Sequence, residues 1–198
     1  DKQQGPNTFS SPTAQEQRNT AHTWDANSFH WHSGSEHTID GKRMDLEFHV
    51  VHTPFYNFKD DTNNGHPYAV LGLMFDVENY SGGDRALEFR EKYVDPFFES
   101  LQLGEKGPTP DEIKFGDLMN AIDRWDRWTY EGSLTTPPCS QTLHWNVLKR
   151  VLPIKKEHLA LFKTQLGWAD AATLPETGNW RVVQKIQDHD LKFMRSPM

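Results

Sequence analysis

With a single cysteine, Cys139, in 198 residues, the chain has no internal disulfide and no metal site built on paired thiolates. No run of 18 or more apolar residues occurs, which excludes a membrane-spanning helix, and the N-terminus has no charged-then-apolar leader. Basic blocks are also missing. The formal charge is −7, from 21 Lys and Arg against 28 Asp and Glu, and no aromatic residues interleave with basic ones, so the pattern argues against nucleic acid as a ligand. What remains is the length of one domain with a substantial core and, as the expected partner, a small molecule.

Histidine is what the chain does have, ten residues of it, and three stand in suggestive places. In Ser28-Phe-His-Trp-His32, alternate residues of a strand face one way, so His30 and His32 project together while Phe29 and Trp31 pack behind them. Leu46 to His52, with β-branched and aromatic residues and little turn chemistry, reads as a second strand on which His49 offers a third nitrogen. Three imidazoles around zinc leave the fourth position open, the arrangement of a catalytic rather than a structural site. Taken alone, H-x-H equally suits surface or hydrogen-bonded core histidines.

The remaining pattern is β-dominated. Residues 1–27 are rich in Gln, Asn, Ser, Thr and Pro and read as an extended arm or loop; the domain proper runs over 28–198. Asn57 to His66 is a polar loop, Tyr68 to Val77 a buried strand, and Asp84 to Leu101 a helix interrupted near Pro96. Leu143 to Leu152 reads as a strand, Lys155 to Leu166 as a surface helix, and Trp180 to Gln187 as a late strand. There are no repeats and no low-complexity tract.

Beyond the histidines, the chain carries Gly34-Ser-Glu-His-Thr-Ile-Asp-Gly41, His66-Pro-Tyr-Ala-Val-Leu-Gly-Leu-Met-Phe-Asp-Val77, Tyr130-Glu-Gly-Ser-Leu-Thr-Thr-Pro-Pro138 and Asn179-Trp-Arg-Val-Val-Gln184. These blocks, in this order, resemble the α-class carbonic anhydrases from about Ser28 to the C-terminus. The resemblance implies an α+β, β-dominated single domain: a large, twisted, mostly antiparallel (mixed) central sheet with peripheral helices. It implies Zn2+ on His30, His32 and His49, and reversible hydration of carbon dioxide to bicarbonate and a proton by zinc-bound hydroxide. Sulfonamide-type inhibitors are expected to bind.

By the same resemblance, Thr135 donates to the Glu36 carboxylate and so orients the nucleophile. Glu47, on the same strand face as His49, accepts the proton of that ligand's other nitrogen, and the Asn179 carbonyl plays a comparable part. Val51, Val70, Leu134, Leu143 and Trp145 match the apolar pocket lining, with Thr136 a polar residue beside it. Pro137-Pro138 matches a turn with a cis peptide bond, and His37 and His52 are expected to make structural hydrogen bonds.

The departures from the family carry expectations of their own. Only Ser33, Gly34 and Ser35 separate His32 from Glu36, where the usual loop is longer, and Ser28 stands where relatives have a glutamine. The segment that usually precedes the first zinc strand is not matched, and with it goes the proton-shuttling histidine; His22 and His66 are the candidate substitutes. That gap implies a processed or partial form, or a sheet that has lost an edge which another chain covers. Cys139 sits where secreted relatives have a paired cysteine, which favours a secreted or lumenal protein. The alternative function is a carbonic anhydrase-like structural or binding subunit with weak or no activity, and a side activity as an esterase would use the same site.

Overall fold

The computed structural model describes residues 8–10, 23–54, 68–103, 112–122, 126–141, 143–169, 178–185 and 191–195. The chain runs β1 (Thr8–Ser10), β2 (Thr23–Ser33), β3 (Thr38–Ile39), β4 (Lys42–Arg43), β5 (Leu46–Pro54) and β6 (Tyr68–Asp76). Then follow α1 (Asp84–Phe89), a π-helical turn (Arg90–Val94), α2 (Asp95–Ser100), α3 (Phe115–Ala121), β7 (Arg127–Gly132), β8 (Leu143–Leu148), β9 (Leu152–Pro153), α4 (Lys156–Ala169) and β10 (Lys192–Met194).

Eight strands form one sheet in the order β1-β2-β5-β6-β8-β7-β10, with β9 also on β6. Neighbours are antiparallel except where β8 and β9 meet β6, which gives the expected mixed, mostly antiparallel sheet. Because side chains alternate across a strand, register decides which residues share a face. His30 lies opposite His49 and His32 opposite Glu47; His49 in turn faces Gly72, which faces Val147. The site residues therefore fall on one face.

The other face carries the main core. Trp31 stacks on Phe48 with ring centroids 4.0 Å apart, and Phe97, Phe98 and Phe162 close around it. Phe97 is fully buried and Phe98 nearly so, and burying such a side chain contributes about 1.5–3 kcal/mol. This packing fixes β2 and β5 from behind, so the histidine face is presented by a rigid backing.

Several boundaries differ from the sequence expectation. The stretch assigned to an arm contains sheet: β2 begins at Thr23 and β1 pairs with it. Trp24 explains the extension, since its indole is fully buried and its backbone pairs with Pro54 on β5. The helix expected from Asp84 to Leu101 breaks one turn before Pro96, at Arg90–Val94. Proline has no N–H to donate and crowds the carbonyl four residues back, so the strain falls on the preceding turn. Leu143 to Leu152 is two strands rather than one.

The late strand expected over Trp180 to Gln187 is not a strand in its described part, 180–185. Val182 and Val183 are 71% and 51% exposed, and the Arg181 N–H is held by a side chain, Glu36, rather than by a ladder. The described strand near the C-terminus is β10, on β7. His22, His66 and the loop from Asn57 to His66 lie outside the described residues. Among the described residues, no helix is long and apolar enough to cross a membrane.

Candidate metal centre

His30 and His32 come from β2 and His49 from the strand beside it, and their ligand nitrogens lie within 4.8 Å of one another. His49 Nδ1 is 3.2 Å from His30 Nε2. Burial, with the neighbouring His49 and His32, lowers the His30 pKa to about 4, and burial with His49 lowers that of His32 as well. Both rings are therefore neutral near pH 7, the form that offers a lone pair to a metal.

Two of the three rings are aimed by a second contact. His49 Nε2–H donates to Glu47 Oε1 at 2.7 Å, which leaves Nδ1 facing the cluster; His32 Nδ1–H donates to the Asn179 carbonyl at 3.2 Å, which leaves Nε2 facing it. Glu47 is fully buried. Burial would raise its pKa, but His37 and His49 hold it well below the usual carboxylate range. It also accepts from the His37 backbone N–H at 2.8 Å and from His37 Nδ1–H at 2.6 Å, and His37 Nε2 meets the Tyr130 hydroxyl at 2.6 Å. His37 thus makes the expected structural hydrogen bonds, as does His52, whose Nδ1–H donates to the Val50 carbonyl at 2.9 Å.

Glu36 and Thr135 line one cavity of about 500 Å3, together with His37, Tyr130, Trp145 and Arg181; His30, His32 and His49 are not among its lining residues, and Glu36, beside His32, links it to the cluster. They are not hydrogen bonded to each other, contrary to the expected pairing. Glu36 Oε1 accepts from the Arg181 backbone N–H at 2.8 Å, and Oε2 turns towards His32 Nε2, 3.4 Å away. The short connection is the reason, because it places Glu36 one tight turn beyond His32, with Gly34 at φ +72°.

Trp145 lines this cavity, whereas Val70 and Leu143 are buried in the apolar cluster under it, against which Val51 and Leu134 pack. Thr136 is exposed, and its carbonyl accepts from the Cys139 N–H at 2.9 Å. The Pro137-Pro138 peptide is cis, as expected. Arg181, which touches both Glu36 and Ser133 Oγ, was not among the residues singled out by sequence; it lies inside the Asn179 to Gln184 block, but nothing in its spacing points to Glu36.

His32 Nε2 and Glu36 Oε2 are both buried without a hydrogen-bond partner. Each presents a lone pair to the other, since the His32 proton sits on Nδ1 and a carboxylate oxygen only accepts. Two acceptors facing each other at this distance are stable when a cation lies between them. Three imidazole nitrogens and a nearby oxygen are the donors zinc takes.

The family model for eukaryotic-type carbonic anhydrase matches residues 4–194. The chain belongs to the carbonic anhydrase family. Human carbonic anhydrase 3 is 32% identical over 166 residues, covering 80% of this chain and 60% of the human protein, so the chain spans about 60% of that relative's length. A halotolerant carbonic anhydrase from Dunaliella salina superposes with a TM-score of 0.64 at 25% identity, over 89% of this chain and 63% of that one. The α-carbonic anhydrase from Thermovibrio ammonificans, solved with the inhibitor sulfanilamide, gives 0.57 at 25%, over 86% and 63%. Carbon dioxide hydration is the general function of carbonic anhydrases, which are zinc-dependent.

Proposed function

We propose that this carbonic anhydrase chain catalyses the zinc-dependent, reversible hydration of carbon dioxide to bicarbonate and a proton, and binds sulfonamide-type inhibitors at the same centre. The observation that carries the reading is the convergence of three imidazole nitrogens, two of them aimed by Glu47 and Asn179. His30, His32 and His49 would hold the ion. Zinc on three histidines, for which carbonic anhydrase is itself the standard case, supplies a water whose pKa falls to about 7 from 15.7 in bulk.

The chain's own residues do the rest. Glu47, held ionised by His37 and His49, keeps the His49 proton on Nε2 so that Nδ1 stays free. The Asn179 carbonyl does the same for His32. Thr135 and Glu36 line the same cavity, and the orienting role proposed for them requires the carboxylate to turn from His32 and accept from the Thr135 hydroxyl. Trp145 and the apolar cluster below supply a wall suited to a substrate without a dipole.

The same unpaired Glu36 and Thr135 favour, as a second reading, a carbonic anhydrase-like binding or structural subunit that holds zinc but turns over weakly. Metal analysis of the purified chain tests the common ground. One zinc per chain is expected, with most of it lost in His49→Ala; a wild-type chain that takes up no zinc would remove both the enzyme reading and the metal-holding subunit.

A further inference from the structure

The segment from Gly178 to Arg181 is fixed against β2 before the last of its side chains is reached. Asn179 Oδ1 accepts from Ser33 N–H at 2.8 Å, Asn179 Nδ2 donates to the Trp31 carbonyl at 3.2 Å, and Gly178 has no room for a Cβ against the Ser33 carbonyl. The Arg43 guanidinium stacks on the Trp180 ring at 3.8 Å. Arg181 therefore lines the cavity from a fixed main chain, and it reaches in two directions. Its backbone N–H donates to Glu36 Oε1 at 2.8 Å, while its Nη1 donates to Ser133 Oγ at 3.3 Å and to the Leu134 carbonyl at 3.5 Å.

From this geometry we infer that Arg181 is the positioning residue of Thr135: its backbone anchors the Glu36 carboxylate, and its guanidinium holds the stem of the Thr135 loop, so one residue sets where hydroxyl and carboxylate stand relative to each other. The inference rests on the function proposed above and deepens it. Oε1 is spent on the Arg181 N–H, so Oε2, buried and without a hydrogen-bond partner, is the oxygen left for the Thr135 proton. Thr135 follows Leu134 directly. The stem is tied from other sides as well: Trp145 Nε1–H donates to the Ser133 carbonyl at 3.2 Å, and Leu134 N–H to the Ser140 carbonyl at 3.0 Å. Those bonds join it to β8 and to the rest of its own loop, whereas the Arg181 bonds join it to the residue that holds Glu36. Ser133 Oγ spends its own proton on the Leu134 carbonyl at 3.0 Å, so it meets Arg181 as an acceptor. A planar guanidinium nitrogen with two N–H groups serves both oxygens at once, which a point charge on a flexible stem does less well.

The test is a double-mutant cycle on the full zinc-loaded chain, with Arg181→Met, Thr135→Ala and the two combined, read by sulfanilamide affinity and by carbon dioxide hydration. Arg181→Met removes the guanidinium and keeps the backbone N–H on Glu36. A Thr135 that gives its proton to Glu36 can only accept from the group on the metal, so both readouts follow its placement. Arg181→Met is expected to lower both about tenfold when Thr135 is present and to change neither in the Thr135→Ala background, with zinc content unaltered. Arg181→Lys, which keeps the charge without the fork, should recover part of the loss. Equal losses in both backgrounds, or none in either, would make Arg181 a residue of the fold alone and overturn the inference while leaving the hydration reading intact. Coupling seen in sulfanilamide affinity, in a chain that does not hydrate carbon dioxide, would remove the hydration reading and keep the hold of Arg181 on Thr135. A wild-type chain that takes neither zinc nor sulfanilamide would overturn both. Should Arg181→Met not fold, Arg181→Lys decides by the same cycle; if neither folds, Arg181 serves the fold and the inference falls.

Discussion

A carboxylate that accepts from two imidazoles leaves neither ring a choice of tautomer. Glu47 does this for His37 and His49, and the single lone pair left on His49 is the one the cluster uses. Glu47→Gln replaces one acceptor oxygen by an NH2 group, so a competition assay against a chelator is expected to show zinc affinity lower by about 10–100-fold; unchanged affinity would mean that Glu47 only fills space. His30 gives a prediction in pH. Its folded pKa lies near 4 against an ordinary 6.5, so between these values the unfolded chain takes up a proton that the fold refuses. Stability of the metal-free protein should therefore rise from pH 4 to pH 6.5 through this group, read as an increasing Tm. His30→Gln should flatten that part of the profile.

Strand alternation made much of the site legible. His30 and His32 share a face because their positions differ by two, and Trp31 between them packs against the opposite core as the pattern requires, whereas Phe29, expected to pack behind with it, is 46% exposed. Glu36 was not legible in the same way. Its orientation depends on Arg181 and Trp180, nearly 150 residues away, which no local period reports. The segment from Trp180 reads as a strand by its valines, yet its backbone is spent on Glu36 instead. Close approach between strands is a second element-scale constraint: on β6, a Cβ at Gly72 would stand 3.1 Å from Glu47 Oε1. Gly72→Ala is expected to push the carboxylate and lower zinc affinity while leaving most of the fold's stability, whereas Phe97→Ala, on the other face, should cost about 3–5 kcal/mol in denaturant unfolding with a native-like zinc site when folded.

At the scale of the molecule, the sheet runs from β1 to β10, and family membership agrees with the order of the sequence blocks. His37, which lines the cavity, is engaged by Glu47 and Tyr130, and the expected substitutes His22 and His66 lie outside the described residues. Turnover is therefore expected to rise with the concentration of an imidazole-type buffer; turnover indifferent to buffer, with His22 and His66 both replaced, would contradict this. Zinc on His30, His32 and His49 is proposed to make this chain a carbon dioxide hydratase. Stopped-flow hydration of carbon dioxide by the zinc-loaded chain tests it most directly. Catalysis is expected to disappear when the zinc is chelated and to return when it is restored; a chain holding one zinc on these histidines and hydrating carbon dioxide no faster than buffer alone would contradict this.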